Sequence, residues 1–179
     1  MVDPVTRARL WHRVMFVTIA ALVLLLRLLP LSPSTSGFSG PDITLALTLA
    51  WVLRRPEYVP VALIVLVIVV EDLLLQRPPG LWPLIVLAAT ESLRAREDSL
   101  RGLPFIFEFG LVAFTLLAMV AVKRAVLFVT VVPQPALGAE LLHMLYTLAI
   151  YPVVVAASAF LLGLKRPAPG QVDELGHRL

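Results

Sequence analysis

The chain has 179 residues, 59% of them hydrophobic, with a mean hydropathy of +0.92 and a formal net charge of +3. A water-soluble domain of that length has too little interior to hide so much apolar side chain. The lack of cysteine excludes disulfides, thiol catalysis, iron–sulfur ligation and Cys-type zinc sites. The basic residues flank apolar runs instead of forming a patch, which argues against nucleic acid as a partner.

Six apolar runs read as helices: residues 14–31, 43–53, 59–75, 81–89, 105–122 and 137–164. They lack the apolar/polar alternation of a membrane barrel. The first run follows Arg7, Arg9 and Arg13 and carries Arg27 near its far end. A basic start followed by apolar and then small residues also fits a secretory leader. The stretch is longer than a leader's apolar region and holds an arginine, so it is read as an uncleaved first helix.

The second run has 11 residues, roughly 16 Å of helix against a hydrocarbon core of ~30 Å. The fourth is shorter still and contains Pro83. Polar residues extend them to 41–55 and 79–93; otherwise one is re-entrant or a shallow amphipathic segment. Short helices at membrane depth are tolerated where protein surrounds them, so both are expected inside the bundle. Thr44 and Thr48, on one face of the second run, signal helix packing.

The third run ends near Glu71 and Asp72. Val14 to Arg27 and Val59 to Asp72 are both 13 residues, so the cation and the acids reach a similar depth, about 20 Å from the inner face. Charges at membrane depth are costly and tend to pair. Adjacent residues project ~100° apart on a helix, so one acid should face Arg27 best, and Asp72 is the expected partner. The alternatives are a wet position near the outer headgroups, or a proton- or ion-coupled site, although no acidic relay continues inward.

The fifth run has Glu108 just inside it and extends through Lys123 and Arg124 towards residue 132, placing both cations at the outer interface. The last, 136–164, is 29 residues long. Pro152 within it is expected to kink the helix. Ala159 and Gly163 form a small-xxx-small pair suited to close helix contact. Residues 165–179 combine proline, glycine and charge without apolar periodicity and read as a short disordered cytoplasmic tail. Residues 1–164 read as a single integral-membrane helical domain.

The charges set the expected topology. Of 15 Lys and Arg residues, 11 lie in the N-terminal segment, after the second and fourth runs, and in the C-terminal segment; the alternate connections hold only Arg77. This bias predicts an all-α polytopic protein of the bacterial inner membrane with six transmembrane helices, several short or kinked, and both termini cytoplasmic.

Catalytic motifs are weak. Gly37-Phe38-Ser39-Gly40 matches the Gly-x-Ser-Gly of intramembrane serine proteases, with His143 as the possible base, yet Ser39 sits in ordinary turn composition and no further partner is near. Glu140 and His143 form one Glu-x-x-His pair, whereas di-metal bundles need two pairs and more carboxylates. No catalytic residue, metal ligand or cofactor is expected.

Local strings carry a family resemblance. Gly40-Pro41-Asp42 precedes a short helix ending in Trp51-Val52-Leu53-Arg54-Arg55-Pro56-Glu57. Glu71-Asp72 closes the third run before Gln76-Arg77-Pro78-Pro79-Gly80, and Tyr151-Pro152 lies in the last helix ahead of Lys165-Arg166. Over about residues 10–166 the chain resembles the rod-shape-determining membrane protein MreD family. Val69 and Val70 stand ahead of Glu71, where the family usually has a glycine.

The resemblance implies a fold similar to the substrate-binding subunits of energy-coupling-factor vitamin transporters. It implies a non-enzymatic scaffold of the rod complex, or elongasome. The implied partner is an MreC-like bitopic membrane protein, with indirect links to MreB filaments and to peptidoglycan synthases, namely a SEDS glycosyltransferase and a class B penicillin-binding protein. Membrane lipids are the remaining expected contact. Arg27, Asp42, Glu71, Asp72, Glu108, Tyr151, Pro152, Ala159 and Gly163 are the structural or interaction candidates. The alternative is a vitamin-binding transporter subunit of the same architecture; no G-x-x-x-x-G-K-S/T nucleotide motif occurs in the chain.

Overall fold

A computed structural model of the chain describes residues 4–29, 40–77, 80–96 and 103–164. The expected tail at 165–179 and the Ser39 turn lie outside the described residues. The described residues form helices α1 (Pro4–Leu28), α2 (Ile43–Arg54), α3 (Val61–Leu74), α4 (Leu81–Arg94), α5 (Phe105–Val129) and α6 (Leu137–Leu162), with a 3-10 turn at Pro56–Tyr58.

Several boundaries differ from the apolar runs for identifiable reasons. α1 starts at Pro4 because a proline suits the first helical position and the following arginines are good helix formers. α2 starts where the Leu45 amide donates to Asp42 Oδ1 at 3.0 Å, an N-cap bond. It stops at Arg54, because Arg55 precedes Pro56 and is pushed out of helical geometry. α4 takes the longer of its two expected extents. α5 continues through Lys123 and Arg124 to Val129. α6 runs through Pro152 without a break in the helix.

Length separates the helices into two groups. Three of them are long and apolar enough to cross a membrane: Thr6–Leu28, Phe105–Val129 and Leu137–Leu162. The other three, α2, α3 and α4, have 12, 14 and 14 residues, roughly 18–21 Å each. Of the six expected transmembrane helices, several of them expected to be short, three are long enough to span.

Side-chain contacts give each helix its direction. Arg13 reaches the Glu57 carbonyl and Arg27 reaches Glu71, a constant offset that makes α1 and α3 parallel. Asp42 meets Thr147 and Trp51 meets Ser158, so α2 and α6 are parallel too. Phe16 packs on Trp51 while Arg27 meets Asp42, so α1 and α2 are antiparallel. Lys123 and Arg124 meet Glu140 while Tyr151 meets Glu108, which makes α5 and α6 antiparallel. Direction thus alternates along the chain wherever these contacts report it.

α2 is the axis of the bundle. Every residue from Thr44 to Leu53 is buried, as expected for a short inner helix. It packs chiefly on α6 and α4. Phe16, Ile64, Ile68, Val86, Val112 and Tyr151 complete one core around it. α4 buries one face, including Ile85, Val86 and Leu93. The outside is the reverse of a water-soluble protein. Phe160, Leu161 and Val131 are 89%, 81% and 88% exposed, while Asp42, Glu71, Asp72 and Glu108 are buried. Apolar exterior with charge inside is what a hydrocarbon solvent selects.

Candidate functional site

Two polar knots tie the helices together, one at each end of α2. At its first end, where α1 finishes, Arg27 forms an ion pair with Glu71 of α3 and another, at 3.2 Å, with Asp42. The Nη2 that meets Asp42 also donates to the Pro41 carbonyl at 2.9 Å. The Asp42 amide donates to Thr147 Oγ1 at 2.9 Å, and that hydroxyl donates to the His143 carbonyl at 2.9 Å. One guanidinium and one N-cap therefore join α1, α2, α3 and α6. Asp42 and Glu71 are 2% and 3% exposed, whereas the Arg27 side chain is 20% exposed.

This corrects the expected partner of Arg27. Glu71 faces it, and Asp72, rotated by ~100° along the helix, does not. Asp72 is fully buried, and neither carboxylate oxygen has a hydrogen-bond partner among the described residues. Its backbone carbonyl accepts from the Arg77 amide at 2.8 Å.

At the other end of α2, Glu108 of α5 accepts hydrogen bonds from the Tyr151 hydroxyl of α6 and from Arg54 Nη2 of α2, the latter at 3.2 Å. Trp51 Nε1 donates to Ser158 Oγ at 3.1 Å. The Phe105 and Tyr151 rings stack with centroids 6.3 Å apart. The His12 ring stacks on Tyr58 at 4.2 Å, closing α1 onto the 3-10 turn.

The remaining candidates fall in different settings. Glu140 accepts ion pairs from Lys123 at 2.8 Å and Arg124 at 2.7 Å, so it faces α5. No group of three or more His, Asp or Glu side chains among the described residues is placed to hold a metal ion. Ser39 lies outside the described residues, so its relation to His143 is not part of the site. Pro152 and Ala159 are half-buried on α6. Thr48 and Thr44 are buried, and the Thr48 hydroxyl donates back to the Thr44 carbonyl at 2.8 Å.

Gly163 departs from its expected role. It lies beyond the end of α6 at φ 65°, and a Cβ there would meet nothing within 4 Å. It ends the helix in the left-handed conformation that glycine adopts freely. Within this chain it brings no two described helices close.

No family model, curated protein or solved structure matches the chain. The functional reading therefore rests on the residues themselves. In the two knots every carboxylate except Asp72 meets a cation or hydroxyl from another helix. The chemistry this performs is fastening: charges buried between helices fix their mutual position.

Sequence reading missed Arg54, Thr147 and Ser158. Arg54 was legible in principle, since it ends α2 at the level where Glu108 begins α5. Thr147 and Ser158 carried no signal, because a lone hydroxyl in an apolar helix commonly bonds its own backbone.

Proposed function

We propose that this protein is a membrane-embedded, non-enzymatic scaffold of the rod complex, of the MreD type. It lies in the bacterial inner membrane with both termini in the cytoplasm, and α2, α3 and α4 complete six passes as short inner or half-buried helices. It holds an MreC-like bitopic partner and through it couples MreB filaments to the SEDS glycosyltransferase and class B penicillin-binding protein of wall synthesis.

One observation carries this reading: the buried carboxylates of Asp42, Glu71 and Glu108 are matched to cations or hydroxyls across helices, while large apolar side chains face outward. A body locked internally by charge and apolar outside suits presentation of a fixed surface to lipid and to another membrane protein. The alternating helix directions and the arginine bias support the topology.

Reporter fusions test that topology. A fusion at Gln134 should read periplasmic and one at Glu57 cytoplasmic. A cytoplasmic Gln134 would remove the α5 crossing from the scheme.

The function is tested by depletion and by copurification from gentle detergent. Depletion should round the cells and delocalise wall synthesis, and an MreC-like protein should copurify. Recovery of a pair of ATPases instead, with normal shape after depletion, would replace the scaffold by a vitamin-transporter subunit.

A further inference from the structure

The apolar exterior of the bundle is not smooth between α4 and α5. A slot of about 190 Å³ runs between them, from Ile85 and Val122 at one end to Arg96 at the other. Ala88, Ala89 and Ser92 line it from α4, and Thr115 and Ala118 from α5. These positions recur every three or four residues, so each helix turns one stripe of small side chains to the gap. Ala88 and Phe114 are exposed at the rim, Phe114 by 66%, so the slot opens outward.

The interior of the slot has no polar group to spare. The Ser92 hydroxyl donates to the Ala89 carbonyl at 2.7 Å, and the Thr115 hydroxyl to the Leu111 carbonyl at 2.8 Å. Among the described residues no carboxylate lines it. The two ends differ. At one, Lys123 lies over the Trp82 ring and is committed to Glu140 at 2.8 Å. At the other, Arg96 is exposed, and its side chain donates one hydrogen bond among the described residues, to the Ser92 carbonyl at 3.2 Å. Glu91, on the same helix, is paired with Arg94. Arg96 therefore keeps most of its five N–H donors for an outside acceptor.

Shape and charge together select the occupant. Ile85 and Arg96 are 11 positions apart, roughly 16 Å along α4. The chains of one lipid leaflet fill about half of the ~30 Å hydrocarbon core, so the slot matches the reach of one acyl chain. A partner helix, about 10 Å across, would lie over so small a slot, whereas an unbranched chain enters it. A guanidinium at the open end takes a phosphate by paired N–H···O bonds. We propose that the slot holds one acyl chain of a membrane phospholipid, with the lipid phosphate against Arg96. The inference needs the protein to be embedded in a membrane but is independent of the rod-complex partner.

The test titrates the full chain in mild detergent with phosphatidylglycerol, and separately with a diacylglycerol of the same chains, read by native mass spectrometry. The wild type should bind one phosphatidylglycerol, and the diacylglycerol about tenfold more weakly, the scale of one lost charge-assisted bond. Arg96→Gln should weaken phosphatidylglycerol binding by a similar factor, and Arg96→Lys should recover part of it. Ala118→Phe and, at the exposed rim, Ala88→Phe keep the charge and fill the slot, so both should also lose the lipid while their thermal unfolding stays near wild type. Equal binding by Arg96→Gln and wild type overturns the proposal. So does undiminished binding by the two filled variants, which would reduce the contact to surface charge, or displacement of the lipid by inorganic phosphate alone, which would make Arg96 a free-anion site. Failure to recover an MreC-like protein on copurification would leave all of these results standing.

Discussion

Arg27→Ala is expected to lower the thermal unfolding midpoint in mild detergent sharply, and to reduce accumulation in the membrane. The substitution strands Glu71 and Asp42, both buried, and frees the Pro41 carbonyl. Removing one partner of a buried pair costs about 3–5 kcal/mol, because the remaining charge stays in a poor solvent. An exposed pair costs about 0–1 kcal/mol, so the measurement also reports whether the knot is dry. Glu71→Ala should cost less than Arg27→Ala, since Asp42 still neutralises the guanidinium. Arg27→Leu combined with Glu71→Leu should be milder than the sum of the two. Asp72→Ala should be near neutral in detergent, because it removes a buried acid whose oxygens make no hydrogen bond. A loss at Asp72 equal to that at Glu71 would show that the wrong acid has been assigned to Arg27.

The second large effect lies at the opposite end of α2. Glu108→Ala leaves Arg54, a side chain 12% exposed, without this carboxylate and removes an acceptor from Tyr151. The expected cost is again about 3–5 kcal/mol. Tyr151→Phe keeps the ring stacked on Phe105 and loses only a hydroxyl bonded to a carboxylate, about 1.5–3 kcal/mol. Near-UV circular dichroism during thermal unfolding separates the two variants. Should Tyr151→Phe prove as damaging as Glu108→Ala, the Arg54 pairing contributes little and the hydroxyl is the principal tie.

The sequence made the helices legible because leucine, valine and alanine runs have one outcome in hydrocarbon, and because arginine marks their ends. Asp42 was singled out only through the family resemblance, although a polar residue directly before an apolar run stands where an N-cap belongs. The matched depth of Arg27 and the acids followed from counting residues along parallel helices. The choice between Glu71 and Asp72 did not, since it depends on the rotation of α3 about its own axis, which α4 and α1 set by packing. Gly163 misled for a related reason: small-xxx-small spacing describes a helix face, and the glycine stands beyond the helix. The early start of α1 was hidden because arginines read as a flank, although they favour helix as well as interface.

The burial of α2 has a consequence for synthesis. Its polar contacts with α6 join Asp42 to Thr147 and Trp51 to Ser158, partners separated by 105 and 107 positions. A ribosome releases the chain in order, so α2 leaves the exit tunnel long before α6 exists. During that interval its N-cap amide and indole await hydroxyls that are still unmade, and a helix of 12 residues is too short to settle alone in a bilayer. In the proposed membrane setting, the insertion machinery has to shelter the second helix until the last arrives. Final closure of the bundle becomes a late, chain-length-dependent step, slowed by contacts distant in sequence, and a nascent chain halted before Leu137 is a natural substrate for membrane quality control.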